Sequence, residues 1–490
     1  MSIDGIKSYY QQNKTPYTVA SEEICELVLT NTFRVMEKTG LEIQSPRAVA
    51  LLKENGCLVE GRRVRFPAAL IKAAINSAAK EMVLYKRTGE EAMRVGGVSN
   101  YYGPGPTNPF VEDFETGERR APKKSDVGHT ATVVDACPNL DYLMGLANIM
   151  DCDVNIADVA ETHEALLHTT KPSVLWAVDC EGMQDIFDMC AAVAGTWDKF
   201  IEKPFMCMFA GCPQTPLIIP ETIFDKLEYS IEKGVPTLAM TGPQLGAVAP
   251  VTIAGTMVVG LAEMLAMLVL SQLVRPGSVL VMGVVVLTMD MKTTRSAYGS
   301  PEHCLCESLQ SDIFHYLGLP HVGTAGVTES KIVDEQSAIE SSMQILTNAL
   351  SGTNMVHDVG FMDGAMSGSL DQLVLCDEII GFARRIREGI NFDEKSFALD
   401  LIDTVGPGGE YISTGHTFKH FKKELWRPTL LDRGLYEGWV QDGSKDLRTR
   451  VHEKTAAILA NHRCQPLPDE VVAQLDAIWL RAQKRVAAAA

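Results

Sequence analysis

Apolar and polar positions change their period along this chain, and two kinds of stretch alternate over most of it. Short, nearly continuous apolar runs fall at Val98 to Gly103, Tyr142 to Ile149, Ser173 to Val178, Phe205 to Gly211, Pro236 to Thr241, Val279 to Val285, His321 to Ala325 and Asn354 to Val359. Runs of this length and uniformity predict strands buried on both faces of a parallel sheet. Longer segments with helical apolar spacing separate and follow them. These are Lys124 to Asp135, Val154 to His168, Met183 to Thr196, Pro220 to Lys233, Pro250 to Val274, Pro301 to Leu317, Asp334 to Leu350 and Leu370 to Glu388. Eight strands alternating with eight helices, in units of about 30 to 45 residues, predict an α/β fold of the (β/α)8 TIM-barrel kind. A doubly wound open sheet alternates similarly but carries a phosphate-binding glycine fingerprint at its first turn. Neither GxGxxG in a strand–helix context nor GxxxxGK[ST] occurs, so the barrel is the expected fold.

The ends of the chain have other patterns. Glu22 to Lys38, Pro46 to Asn55 and Pro67 to Ala79 read as helices. Cys57 to Phe66 reads as a hairpin around Glu60-Gly61, and Met82 to Gly97 as two short strands around Thr88-Gly89. Residues 1–97 are therefore expected as a small α/β cap, 98–390 as the barrel and 391–490 as a C-terminal extension. That extension holds a basic, aromatic segment (FKHFKKELWRP) and a final helix from Asp469. Its Trp426, Tyr436 and Trp439 suit packing on a neighbouring barrel or on the mouth of this one, and equally suit packing within the chain.

Composition narrows the function. With 62 acidic against 44 basic residues the net charge is −18, which argues against a nucleic-acid partner because phosphate binding draws on Lys and Arg. The twelve cysteines have no disulfide-framework spacing and the N-terminus has no apolar signal core, so a reduced, cytoplasmic setting is expected. Met257 to Val274 has about the apolar length of a membrane span. It contains Glu263 and ends near Gln272, so a buried core helix is expected and no membrane association. The long apolar helices and aromatic tail predict a homo-oligomer.

In a barrel, chemistry gathers at the C-terminal ends of the strands. Those ends carry Tyr101, Tyr102, Trp176, Phe209, Gln244, Arg295, Tyr298, Glu329, Asp334, His357 and Phe361. The set is rich in aromatics and poor in acid–base machinery. No nucleophile elbow, HExxH or strand-end His pair is present, and in His303-Cys304-Leu305-Cys306 the two cysteines point to different helix faces, so no metal site is expected. Aromatics converging with carboxylates suit an organic cation, because a quaternary ammonium donates no hydrogen bond and is held by cation–π contact. Tyr101, Tyr102, Trp176, Phe209, Tyr298 and Phe361 are the cage candidates, each also explicable as a packing aromatic. Arg295 or His357 could take a carboxylate if the ligand were zwitterionic.

Four stretches carry a family resemblance: GPQLGAVAPVTIAGTMVVGLAE (Gly242 to Glu263), SAYGSPEHCLCESLQSDIFHYLGLP (Ser296 to Pro320), AGVTESKIVDEQSAIES (Ala325 to Ser341) and HTFKHFKKELWRPTLLDRGLYEGW (His416 to Trp439). They resemble the trimethylamine methyltransferase family over roughly residues 20 to 480. The resemblance implies a (β/α)8 barrel that passes a methyl group from a methylated amine to the corrinoid (cobalamin) of a partner protein, with no cofactor tightly bound to the barrel itself. Archaeal trimethylamine enzymes carry pyrrolysine at the mouth, and this chain has only the twenty standard residues. The resemblance therefore points to the non-pyrrolysine branch, whose substrates are quaternary amines such as glycine betaine, proline betaine, carnitine and γ-butyrobetaine. A methyltransferase using a tertiary methylamine and a non-catalytic quaternary-amine binding protein are the alternatives. His357 and Tyr102 are the residues expected to matter most for catalysis.

Overall fold

The structure, a computed structural model, describes residues 3–489. Its centre is built from parallel segments taken in chain order. Strands Ser173–Trp176, Met206–Gly211, Thr237–Thr241 and Leu280–Val284 form a four-stranded parallel sheet. Val322–Thr324, Met355–His357 and Tyr101–Tyr102 form a three-stranded parallel sheet. A parallel bridge between Met282 and His321 joins the two sheets on one side. On the other side Asp141 N donates to Tyr102 O at 2.7 Å, and Leu143 bridges Ser173 in parallel.

Two expected strands are shorter than the apolar pattern predicts. Of Tyr142 to Ile149 only Leu143 pairs, because Gly145 adopts φ 73° and turns the backbone away. A Cβ at Gly145 would stand 2.6 Å from Glu161 Oε1, so this turn requires glycine. The first strand stops at Tyr102, where the sequence continues Gly103-Pro104-Gly105-Pro106 and half of the amide donors are missing.

Helices follow the strands and lie outside them. Each begins and ends where local chemistry directs. Helix Pro301–Leu317 is capped by the Ser300 hydroxyl, which accepts from His303 N at 3.2 Å, and ends at Gly318 with φ 61°. Helix Glu335–Ser351 starts at Asp334, whose carboxylate accepts from Ser337 N at 2.9 Å, and ends at Gly352 with φ 72°. Asp334 is thus a helix cap, a structural role that accounts for its position at the strand end.

Strand alternation divides inside from outside. Leu175, Met206 and Met208 pack on the helices, while Val174, Cys207, Leu238, Val281, Val322 and Met355 point inward. This inner layer packs on Met82, Leu84, Met93 and Val95 of the antiparallel hairpin Met82–Tyr85/Glu91–Val95. The hairpin therefore plugs the N-terminal ends of the strands, and the opposite end is left for a ligand.

The N-terminal residues share one apolar core with helices Ile253–Val274 and Pro301–Leu317. Strand Leu41–Ile43 also pairs in parallel with Ile218–Ile219, from the loop after Met206–Gly211. Ile253–Val274 is long and apolar enough to cross a membrane, but 72% of its apolar window is buried inside the molecule, as befits a core helix. At the other terminus, Leu447–Asn461 packs on Leu370–Glu388, and Asp469–Ala489 packs on Cys180–Ala194. All twelve cysteines are free.

Candidate functional site

The inward positions of the strands rise from the plug to aromatic residues at their C-terminal ends. Trp176 and Phe209 continue the rows begun by Val174 and Cys207, and both are only half-buried. Beyond Phe209 the chain turns at Gly211 (φ 118°) to present Cys212. Cys212 is exposed, and desolvation by the protein around it pushes its thiol up to about 12. Lys226, Asp358 and Glu263 all lie within its electrostatic reach. The strand ends opposite the hairpin, with Trp176, Phe209 and Cys212 at their surface, form the candidate recess. Its other half-buried wall residues include Leu287, Gln244 and Tyr298.

Asp358 is the charge at the bottom of this recess, and sequence reasoning missed it. It is 5% exposed and has φ 68°, a left-handed conformation that Asp tolerates better than most side chains. This twist sets it out of line with strand Met355–His357. Its carboxylate lies against the backbone of Gly105, where a Cβ would be 1.9 Å from Oδ1, so the Gly-Pro-Gly-Pro loop makes a cradle for it. Among the described residues no Lys or Arg ion-pairs with Asp358; its one charge-bearing contact is His357 Nδ1 at 2.6 Å. That contact lies off the hydrogen-bonding direction, which leaves Nδ1 buried without a hydrogen-bond partner. The other ring nitrogen, Nε2, meets Thr324 Oγ1 at 3.0 Å. Two further buried atoms lack partners, Tyr142 Oη and His303 Nε2, and both residues are within electrostatic reach of Asp358. A buried carboxylate with no Lys or Arg partner, near buried polar atoms that lack hydrogen bonds, suits a bound polar or cationic group.

Tyr298 lies within electrostatic reach of both this carboxylate and Cys212. Phe361, fully buried with Leu146 and Val327, packs behind its ring, and His303 meets it edge-on at 5.5 Å between centroids. Glu329 does not face the recess. Its two oxygens accept from the backbone amides of Tyr298 (2.6 Å) and Gly299 (2.7 Å), so it holds the loop that carries the tyrosine. Gln244 ties the neighbouring loop to it, donating to Ser296 Oγ at 3.3 Å.

Burial raises two carboxyls behind the walls well above the ordinary carboxylate range. Glu161 accepts from Trp176 Nε1 at 2.9 Å and has Oε1 unpartnered; burial raises it to about 8. Glu307 accepts from Thr324 N at 2.9 Å and Gln310 Nε2 at 2.7 Å, and burial likewise raises it to about 8. Each binds its proton more tightly folded than unfolded, where the value is 4.5. The stability this adds is complete below about 4.5 and is lost as pH rises through about 8. Buried His303, His315 and His321 are shifted down by burial and act in the opposite sense on the acid side. Thermal unfolding of wild type is expected to drop more between pH 6.5 and 9 than that of the double variant Glu161→Gln/Glu307→Gln. Equal slopes would reject neutral carboxyls at both positions.

Above the recess the charge reverses. Asp363 receives three cations: Arg295 Nη2 at 3.2 Å, Arg119 Nη1 at 3.4 Å and Lys331 Nζ at 3.5 Å. One carboxylate does not balance three positive groups, so the rim beside strand end 355–357 carries positive charge. All three cations are at least 45% exposed, which leaves them free to meet a ligand.

Besides Glu329 and Asp334, two further nominated residues lie elsewhere. Tyr101 sits at the plugged end, its hydroxyl accepting from Arg94 N at 3.0 Å. Tyr102 is fully buried on the outer side of its strand, donating to Ile345 O at 3.3 Å under Arg384. Both are corrections, because a two-residue strand leaves no reliable inner row to count from. Trp176, Phe209 and Tyr298 line the recess; Phe361 and His357 stand just behind it. No group of three His, Cys, Asp or Glu side chains among the described residues is gathered to hold a metal ion.

Comparison with known proteins adds the following. Residues 3–487 match the family model "Trimethylamine methyltransferase (MTTB)". The chain is 29% identical over 472 residues to a glycine betaine methyltransferase of Desulfitobacterium hafniense strain Y51, covering 96% of this chain and 98% of that one. It is 29% identical over 466 residues to a trimethylamine methyltransferase MttB of Desulfitobacterium hafniense strain DSM 10664 / DCB-2, covering 94% and 92%. A trimethylamine methyltransferase MttB of Methanosarcina thermophila is 28% identical over 484 residues, covering 97% and 99%. Among solved structures, the monomethylamine methyltransferase of Methanosarcina barkeri superposes with a TM-score of 0.53 at 12% identity, covering 94% of this chain and 93% of that one, a likeness of fold.

Proposed function

Because the chain belongs to the trimethylamine methyltransferase family, we propose that it transfers a methyl group from a quaternary amine to the corrinoid of a partner protein. The substrate is glycine betaine or a related betaine such as proline betaine, carnitine or γ-butyrobetaine. The parallel segments and their outer helices are read as a (β/α)8 barrel with its mouth at the recess, working in the cytoplasm.

The observation that carries this reading is charge at two depths: Asp358 at the bottom, with His357 beside it and no Lys or Arg partner among the described residues, and an excess of cations around Asp363 at the rim. A betaine is a zwitterion with the matching order. Its trimethylammonium group would lie over the faces of Tyr298, Phe209 and Trp176 against Asp358, and its carboxylate would reach Arg295 or Lys331. Trimethylamine has no group for the rim.

A corrinoid held by a partner fits the mouth rather than the recess. Val154, Val248, Val251, Met291 and Met366 stand exposed on loops beyond the strand ends, an apolar rim suited to a flat macrocycle. The corrinoid supplies the cobalt nucleophile that accepts the methyl group. The chain's own residues orient and desolvate the donor, since a quaternary ammonium leaves as a neutral amine and needs no general acid. His357, fixed by Thr324 through Nε2, stands beside the Asp358 carboxylate with Nδ1 2.6 Å from it. Orientation counts more than tightness here. A site that binds the cation strongly stabilises the ground state, and misplacement of reacting groups by about 1 Å costs on the order of a hundredfold in rate.

The test is spectroscopic. Purified protein is mixed with reduced cobalamin, or with a cognate corrinoid protein, and separately with each betaine named above and with trimethylamine. Loss of the reduced-corrinoid absorbance with at least one betaine, and not with trimethylamine, is the expected result. Turnover with trimethylamine alone would replace the substrate class. Betaine binding with no turnover on either acceptor would make this a binding protein.

A further inference from the structure

Between the barrel helices and the last two helices the chain extends an arm, residues 390–441. It contains helices Glu394–Phe397, Leu399–Val405, Gly415–Glu424 and Tyr436–Gln441, and none of the four buries a single residue. Phe392, Ile412, Phe418 and Leu435 are each more than 70% exposed. Isolated helices this short are marginal in water, and an apolar surface this extensive marks an interaction site. The arm is nonetheless anchored. Arg385 Nη2 donates to Glu424 O at 3.0 Å, and Glu378 Oε1 accepts from Thr429 N at 2.8 Å and Leu430 N at 3.0 Å.

Helix Gly415–Glu424 has two faces. Phe418, Phe421 and Leu425 form an apolar stripe at helical spacing, and Lys419, Lys422 and Lys423 flank it. Such a basic helix in a chain of net charge −18 is complementary to the rest of the chain. A surface free of Lys and Arg matches it in both respects. Helices Pro301–Leu317 and Glu335–Ser351 pack side by side and carry neither Lys nor Arg. Their outer face exposes Leu305 (42%), Ile339 (64%) and Met343 (56%), with exposed Glu302 and Glu335 beside them.

We propose that helix Gly415–Glu424 of a second copy of this chain lies on the face made by Leu305, Ile339 and Met343. Its lysines meet Glu302 and Glu335, and the contact is reciprocal, giving a two-fold dimer. Helix and face are each unpartnered within one copy, and a two-fold axis satisfies both at once. This assembly does not depend on which reaction the recess performs.

Sedimentation velocity of the full chain at tens of micromolar tests it. A dimer or a multiple of it is expected. Phe418→Asp and Met343→Asp, both at exposed positions, should each raise the dissociation constant at least tenfold, with far-UV circular dichroism unchanged. The charge reversal Lys419→Glu/Lys422→Glu should weaken association, and adding Glu302→Lys/Glu335→Lys should restore at least half of the loss. A monomer at this concentration overturns the proposal. So does an oligomer indifferent to these substitutions, which would be built on another surface. If the mass is unchanged but arm variants lose transfer to a corrinoid protein, the arm belongs to that partner and the proposal fails.

Discussion

Replacing Asp358 by Asn is expected to raise the KM for the preferred betaine by about ten- to a hundredfold while kcat stays within about threefold. The side chain keeps its size and its place against Gly105, so the substitution removes charge and little else. The wild-type carboxylate is buried beside His357 and, among the described residues, no Lys or Arg, so a bound ammonium would add a full positive charge against it. An ion pair in such a site is worth roughly 1.5 to 3 kcal/mol, which sets the expected change in affinity. The split between KM and kcat follows from the chemistry. Positive charge leaves nitrogen as the methyl group departs, so the carboxylate favours bound substrate over the transition state. Steady-state kinetics of methyl transfer with glycine betaine and its relatives checks this. An unchanged KM for every betaine would remove Asp358 from the site. A kcat loss much greater than the KM effect would instead give it a role in the chemical step.

Tyr298 should separate ring from hydroxyl. Tyr298→Ala is expected to lower kcat/KM by roughly a hundredfold, because it removes a cation–π face worth about 1 to 2 kcal/mol and opens space in which the donor can turn. Tyr298→Phe keeps the face, and its kcat/KM is expected within about threefold of wild type. Glu329 holds the backbone at residue 298, so the main chain stays put in both variants. Isothermal titration with betaine, beside the kinetics, divides the loss between affinity and orientation. A Phe variant as impaired as the Ala variant would shift the role from ring to hydroxyl and undermine the aromatic cage.

Much of the fold was legible in the residues because it rests on local rules. Apolar runs marked the strands Ser173–Trp176, Met206–Gly211, Thr237–Thr241, Leu280–Val284 and Met355–His357 to within a few residues, and helical spacing marked helices such as Pro301–Leu317. The two shortest segments were read too long. Gly145 and the Gly-Pro-Gly-Pro run interrupt pairing through backbone geometry that hydrophobicity does not report. That error carried into the site: once the first strand shrank to two residues, Tyr101 and Tyr102 lost their assumed direction.

Sequence by itself determined the order of strands and helices, the absence of sequence signals for nucleic acid binding, the family, and the aromatic character of one end of the strands. These follow from period, charge and motif, which are properties of neighbours along the chain. Only the tertiary structure decided which side chains meet. Asp358 is next to His357 in sequence, yet a positive φ brings it against Gly105, more than two hundred residues away. Glu161 and Glu307 look like ordinary helix-surface carboxylates until burial raises them. Arg295, Arg119 and Lys331 become a cluster only around Asp363. A charge's role is set by what surrounds it in space, through desolvation and proximity, and a one-dimensional pattern carries neither.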